Sequence, residues 1–208
     1  MKTAVLASGQ GSNLQALIAA WQRGEIPVEM VAVGSDQPEA MALVRAEKAG
    51  IAGCAFPLGH YPDRRTQERA ILSWFHEQGA ELLLLAGYMK VLSKEFVKAA
   101  GFPILNIHPS LLPAFPGTHA QRQAVEYGVR YSGCTVHFVD AGLDSGPIIL
   151  QAVVPVLPGD TEDSLAARIL EQEHKIYPLA VGLVARGKIR RDGRKVIITD
   201  NENNGGNE

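Results

Sequence analysis

Three side chains suited to acyl chemistry stand at two points of the chain. Asn106 and His108 lie in the run Asn106-Ile107-His108-Pro109-Ser110-Leu111-Leu112-Pro113, and Asp144 lies in Asp140-Ala141-Gly142-Leu143-Asp144-Ser145-Gly146-Pro147. Residues two apart on a strand share a face, so Asn106 and His108 point the same way at the end of an apolar run. The Asn106 amide offers N–H donors, and the His108 imidazole exchanges its proton near neutrality. Together they suit a reaction in which a carbonyl oxygen gains charge and a leaving nitrogen takes a proton. Asp144 supplies a carboxylate that would hold the imidazolium charged and oriented, if the fold brings the two segments together. The plainer alternatives are a structural histidine and an ordinary Gly- and Asp-rich turn.

A second motif follows the first apolar run: Ser8-Gly9-Gln10-Gly11-Ser12-Asn13. Glycines let a backbone approach an anion, and the helix that follows presents unpaired N–H groups and a positive dipole end. Ser12 caps that helix or donates its hydroxyl to a phosphate. Leu14 stands where a dinucleotide fingerprint needs glycine or alanine, and the lysine of a P-loop is missing. A phosphomonoester therefore fits better than NAD or ATP; a tight strand–helix turn is the alternative.

Positioning these residues takes a scaffold, and the chain supplies repeated strand–helix units. Strands are expected at Thr3–Ala7, Val28–Gly34, Ile51–Pro57, Leu82–Ala86 and Pro103–Ile107. Helices are expected at Leu14–Arg23, Glu39–Ala49, 63–78 and Lys94–Ala100. Such alternation implies α/β architecture: a single-domain, doubly wound, mostly parallel sheet with helices on both faces. After residue 130 the pattern changes. Cys134–Val139 and Ile148–Val156 read as antiparallel neighbours, Glu162–Ala185 as a helix open to a kink at Pro178, and Ile189 with Val196–Ile198 as a short edge hairpin. The Gly- and Pro-flanked stretch 114–131, which contains His119, reads as a lid. Ligands of such folds bind at the carboxyl ends of the strands, where all three motifs fall.

The bulk numbers narrow the function. With 208 residues, 46% of them hydrophobic, the chain reads as one globular domain, residues 1–199, followed by a disordered polar tail at 200–208. A formal net charge of −2 leaves no basic surplus for nucleic acid. The longest apolar stretch, Leu82–Ala86, falls far short of the ~20 residues that a membrane span needs. Cys54 and Cys134, two thiols far apart, make neither a disulfide framework nor a zinc site. No metal, no membrane and a cytoplasmic location are the expectations.

The combination of SGQGSN, NIHPSLLPAFPG, VDAGLDSGPII and Glu171-Gln172-Glu173-His174 resembles the glycinamide ribonucleotide formyltransferases, folate-dependent enzymes of purine synthesis. The resemblance runs to about residue 190. It implies a Rossmann-like formyltransferase fold and transfer of a formyl group from 10-formyltetrahydrofolate, the cosubstrate, to the amine of glycinamide ribonucleotide. Its partners would be these small molecules, and it would act as a monomer or homodimer. It implies that Asn106, His108 and Asp144 are catalytic, and that Gly11, Ser12, Asn13 and Glu173 hold the ribonucleotide. The folate would lie against Met89, Lys90, Val91 and Leu92, near Asn106, Arg64 and the loop Asp140, Ala141, Gly142, Leu143, Asp144. Two positions depart from the family's pattern: Lys90, often arginine, and Leu170, where a polar side chain can touch substrate.

The rival readings are fewer. A methionyl-tRNA formyltransferase would carry an extra carboxyl-terminal domain and a basic surface, and a formyltetrahydrofolate hydrolase an amino-terminal regulatory domain. A non-catalytic phosphate-binding module would need only SGQGSN. Among the other histidines, His60 and His76 read as surface residues and His174 as packing. His137 is as well explained by structure as by the site.

Overall fold

Alternating apolar runs and amphipathic helices close, in the computed structural model, into a seven-stranded sheet covered on both faces; residues 1–199 are described. The chain runs β1 (Lys2–Leu6), α1 (Ser12–Gln22), β2 (Glu29–Ser35), α2 (Met41–Lys48), β3 (Ala52–Ala55) and α3 (Arg64–Glu77). It continues through β4 (Leu82–Leu85), α4 (Lys94–Ala99), β5 (Ile104–His108), α5 (Ala120–Tyr127), β6 (Tyr131–Phe138) and β7 (Ile148–Pro155). Helix α6 (Glu162–Ala185) and the strands β8 (Ile189–Asp192) and β9 (Lys195–Ile198) complete it. The sheet order is β3-β2-β1-β4-β5-β6-β7. The first five of these pair in parallel, and β6 and β7 are antiparallel. The strand order reverses between β1 and β4, which opens a crevice at their carboxyl ends.

Strand β4, four leucines in a row, shows why the run is uninterrupted. Leu82 and Leu84 pack into one core, and Leu83 and Leu85 into the other, because helices cover both faces. The first core is closed by α1, α2, α5 and α6 through Leu14, Leu17, Ala42, Ala124, Leu165 and Ile169. The second is closed by α3 and α4 through Ile71, Leu72, Phe75 and Phe96. Tyr177, fully buried on α6, donates its hydroxyl to the carbonyls of Leu85 (2.9 Å) and Leu105 (3.2 Å), fastening the helix to the ends of β4 and β5.

Two expectations are corrected, and one stretch gains detail. The stretch read as a lid contains a helix, α5, which starts after His119 and ends at Gly128, held in a left-handed turn at φ 78°. Its sequence, AQRQAVEY, is short and flanked by breakers, so its pattern is weak, but buried Ala120 and Ala124 seat it on the first core. The third strand is only Ala52–Ala55, since the chain turns away at Pro57. The expected edge hairpin forms, but as a two-stranded sheet of its own rather than along the main sheet. Helix α6 stays helical through Pro178. The tail expected from Asp200 lies outside the described residues.

Candidate active site

Strand β5 delivers Asn106 and His108 to one face, opposite the one that Leu105 and Ile107 bury against the first core. The antiparallel neighbour β6 places His137 directly across from Asn106, and Thr135 across from His108. The β6–β7 connection then folds back over this face. At its tip Asp144 takes a left-handed conformation, φ 47°, which aspartate tolerates better than most residues.

That fold-back brings the Asp144 carboxylate to the two strand residues. Its Oδ2 lies 3.4 Å from His108 Nδ1 and accepts from the Gly117 N–H at 2.8 Å. Its Oδ1 is 3.5 Å from Asn106 Nδ2, a long contact, and 3.7 Å from His137 Nε2. The other nitrogen of His108, Nε2, sits 2.9 Å from the Phe115 carbonyl. Both ring nitrogens thus face oxygen acceptors, a setting that a doubly protonated imidazole satisfies completely.

His137 is the opposite case. Its Nδ1 lies 2.9 Å from the Phe138 carbonyl, and Asn106 Nδ2 lies 3.2 Å from its Nε2. The carbonyl can only accept, so Nδ1 carries the proton and Nε2 accepts from the amide. Burial pushes His137 below the usual imidazole range, against the Phe138 carbonyl and the Asp144 charge, which both favour protonation. A neutral His137 fixes which way the Asn106 amide faces. Sequence reasoning left this residue undecided; the signal that finds it is the β5–β6 register, which no local pattern encodes.

At the other end of the crevice, α1 starts at Gly11, with φ 66° and no side-chain cap, so its first N–H groups stay open to an anion. A Cβ at Gly11 would come within 2.9 Å of Ala42 Cα, so the residue must be small as well as left-handed. Asn13 donates to Glu173 Oε2 at 2.7 Å across the α1–α6 contact, and its own Oδ1 is buried without a partner. Burial raises the Glu173 carboxyl above the usual range, partly offset by the Asn13 bond.

One cavity of about 660 Å³ joins all of this. Its wall contains Gly11, Ser12, Asn13, Glu173, Met89, Lys90, Val91, Leu92, Asn106, His108, Asp140, Gly142, Leu143 and Asp144. Arg64, Ala141 and Leu170 are not on that wall. Arg64 turns instead toward Glu68 on its own helix. The wall also holds His119 and Gln121, from the segment that precedes and begins α5. The described residues contain no cluster of three or more His, Cys, Asp or Glu able to hold a metal, and no helix long and apolar enough to cross a membrane.

A Rossmann-like sheet with an amide, an imidazole and a carboxylate at the carboxyl ends of its strands defines a class, and comparison with known proteins agrees with it. Residues 1–181 match the formyl transferase family, and the chain belongs to it. It is 44% identical over 190 residues to the phosphoribosylglycinamide formyltransferase of Escherichia coli (strain K12), covering 91% of this chain and 90% of that protein. It is 45% identical to the trifunctional purine biosynthetic protein adenosine-3 of Drosophila pseudoobscura, but spans only 14% of that longer protein. Among solved structures, the glycinamide ribonucleotide transformylase 1 of Symbiobacterium toebii superposes with a TM-score of 0.93 at 48% identity, over 96% of this chain and 94% of that one.

Proposed function

We propose that this chain transfers the formyl group of 10-formyltetrahydrofolate to the amine of glycinamide ribonucleotide, as a phosphoribosylglycinamide formyltransferase of purine biosynthesis. The observation that carries the reading is the meeting of Asn106, His108 and Asp144 in the wall of a cavity that also holds an uncapped helix start. The family match and the like-sized relatives support the substrates. We read the chain as a cytoplasmic enzyme acting on small molecules, as a monomer or homodimer, with residues 1–199 as one catalytic domain.

In this mechanism the ribonucleotide phosphate docks on the N–H groups at Gly11, Ser12 and Asn13, and Glu173 with Asn13 Oδ1 receives its polar body. The amine attacks the formyl carbon on N10, and the carbonyl oxygen becomes an oxyanion. Asn106 gives up its long contact to Asp144 and donates to that oxygen. His108 turns its Nε2 hydrogen from the Phe115 carbonyl to the same centre, while Asp144 keeps the ring charged. The amine loses a proton as N10 gains one; the oxyanion then re-forms the carbonyl as the bond from the formyl carbon to N10 breaks, and tetrahydrofolate leaves neutral at nitrogen. Met89–Leu92 and Asp140–Asp144 flank the reacting strand and leave the remaining cavity to the folate.

A formyl-transfer assay with and without glycinamide ribonucleotide tests the reading. Turnover that requires the ribonucleotide is the expected result. Folate release without an acceptor would instead mean a hydrolase, and ligand binding without turnover a binding module. The phosphate site has its own test. An alanine at Gly11 would put its Cβ 2.9 Å from Ala42 Cα and push the helix start off its place, so Gly11→Ala raises KM for the ribonucleotide about tenfold. The KM for the folate stays within about twofold of wild type.

A further inference from the structure

The loop after β4 has an anchor that the chemistry above does not use. It exposes Met89, Lys90 and Val91 beside the cavity and tucks Tyr88 and Leu92 against the second core. Two fastenings hold it. At its near end the Met89 N–H donates to Ser8 Oγ at 2.9 Å, and the Ser8 N–H to the Gly87 carbonyl at 3.1 Å. At its far end Ser93 begins α4. The Ser93 N–H donates to Glu68 Oε1 at 3.1 Å, and the Ser93 hydroxyl donates to Glu68 Oε2. The same hydroxyl accepts from the Phe96 N–H at 3.1 Å and caps the helix.

Glu68 lies on α3 and is only 6% exposed. Arg64, one turn earlier, balances its charge through Nε and NH2, each 3.1 Å from Oε1. A carboxylate so buried persists only when paired and hydrogen-bonded. Here its bonds reach out of its own helix to the N-cap of another, so Glu68 acts as the acidic half of a capping box supplied from α3. Nearby, burial and the carboxylates of Asp36 and Glu68 keep the Tyr88 hydroxyl well above its ordinary range.

We propose that Glu68, its charge balanced by Arg64, is a positioning residue for the formyl donor: it fixes where the Met89–Leu92 wall stands and thereby sets donor affinity. This rests on the functional reading above. The effect is selective because the ribonucleotide groups, Gly11–Asn13 and Glu173, are carried by α1 and α6 on the other face of the sheet. It also gives Arg64 a part in donor binding from outside the cavity.

Steady-state kinetics with both substrates test it on wild type, Glu68→Gln and Ser93→Ala. Glu68→Gln raises KM for 10-formyltetrahydrofolate about tenfold, with KM for the ribonucleotide and kcat within about twofold. Ser93→Ala gives the same selective shift at about threefold, and the double variant is no worse than Glu68→Gln, because the two groups act as one unit. Equal shifts in both KM values, or a lower melting temperature with neither KM moved, overturns the proposal. Should Glu68→Gln fail to fold, the Ser93→Ala profile alone decides between these results. A wild type inactive with this substrate pair sinks the functional reading first, and the proposal with it, before any variant is compared.

Discussion

His108→Ala lowers kcat by about 10²–10⁴, the range that a positioned general acid and oxyanion donor supplies, while the fold survives. The reasoning is geometric. His108 makes the nearer imidazole contact to the Asp144 carboxylate, 3.4 Å at Nδ1, and meets the Phe115 carbonyl at Nε2, so its loss removes a donor from the centre of the site and leaves Asp144 without that partner. Asp144→Asn has an effect of the same order, because Asp144 also holds Gly117 and lies against Asn106. The double variant is no slower than the worse single one, as expected for residues that act as a unit. Turnover of the purified variants, with a melting temperature lowered by no more than about 5 °C, is the measurement. Near-normal turnover of His108→Ala, or fully additive losses, would remove the pair from the mechanism.

The second large effect concerns the strand that carries His137. A Cβ built on Gly133 overlaps the Ala152 carbonyl oxygen of β7 and lies 2.8 Å from Leu111 Cδ2. The backbone cannot yield locally, because Gly133 sits inside the continuous β6–β7 ladder, opposite Val153, and two residues on, from Thr135, the same strand pairs with β5 as well. Gly133→Ala therefore forces the β6–β7 ladder apart and costs about 3 kcal/mol, a melting temperature lower by about 6–12 °C for a chain of this size. Activity falls too, since Thr135 on the same strand donates to the Ser110 carbonyl at 2.7 Å and accepts from the Leu112 N–H at 3.1 Å, holding the exit from β5. Gly53→Ala is the control: its Cβ meets Leu43 at 3.6 Å, an ordinary contact, and stability stays within about 1 kcal/mol. A Gly133→Ala protein as stable as that control would refute the argument.

The sequence carries the site in proportion to how local it is. Asn106 and His108 were legible because strand alternation alone sets them on one face. The helix start at Gly11 was legible from two glycines and an apolar run. Asp144 was legible as a candidate carboxylate, but its meeting with His108 was not, because that approach depends on a connection that doubles back over two strands. The same holds for His137, whose place is a matter of β5–β6 register, and for the Phe115 carbonyl and Gly117 N–H, which are backbone groups with no side-chain signature. Arg64 shows the converse. Its helix start was readable, but Glu68, four residues on, claims its charge, and the reason lies in Ser93 on another helix. Helix α5 was hidden by its own brevity and by the glycines around it.

The division of the interior into two cores has an optical consequence. The chain has two tryptophans, and the fold gives one to each: Trp21 packs against the core closed by α1 and α6, and Trp74 against the core closed by α3 and α4, with Phe56 at 5.5 Å. On the functional reading proposed above, each indole therefore stands in the half of the molecule that carries one substrate's binding groups. With either tryptophan replaced by phenylalanine, the remaining emission reports on the packing of one core alone, so the two halves of the interior can be followed separately as the protein unfolds.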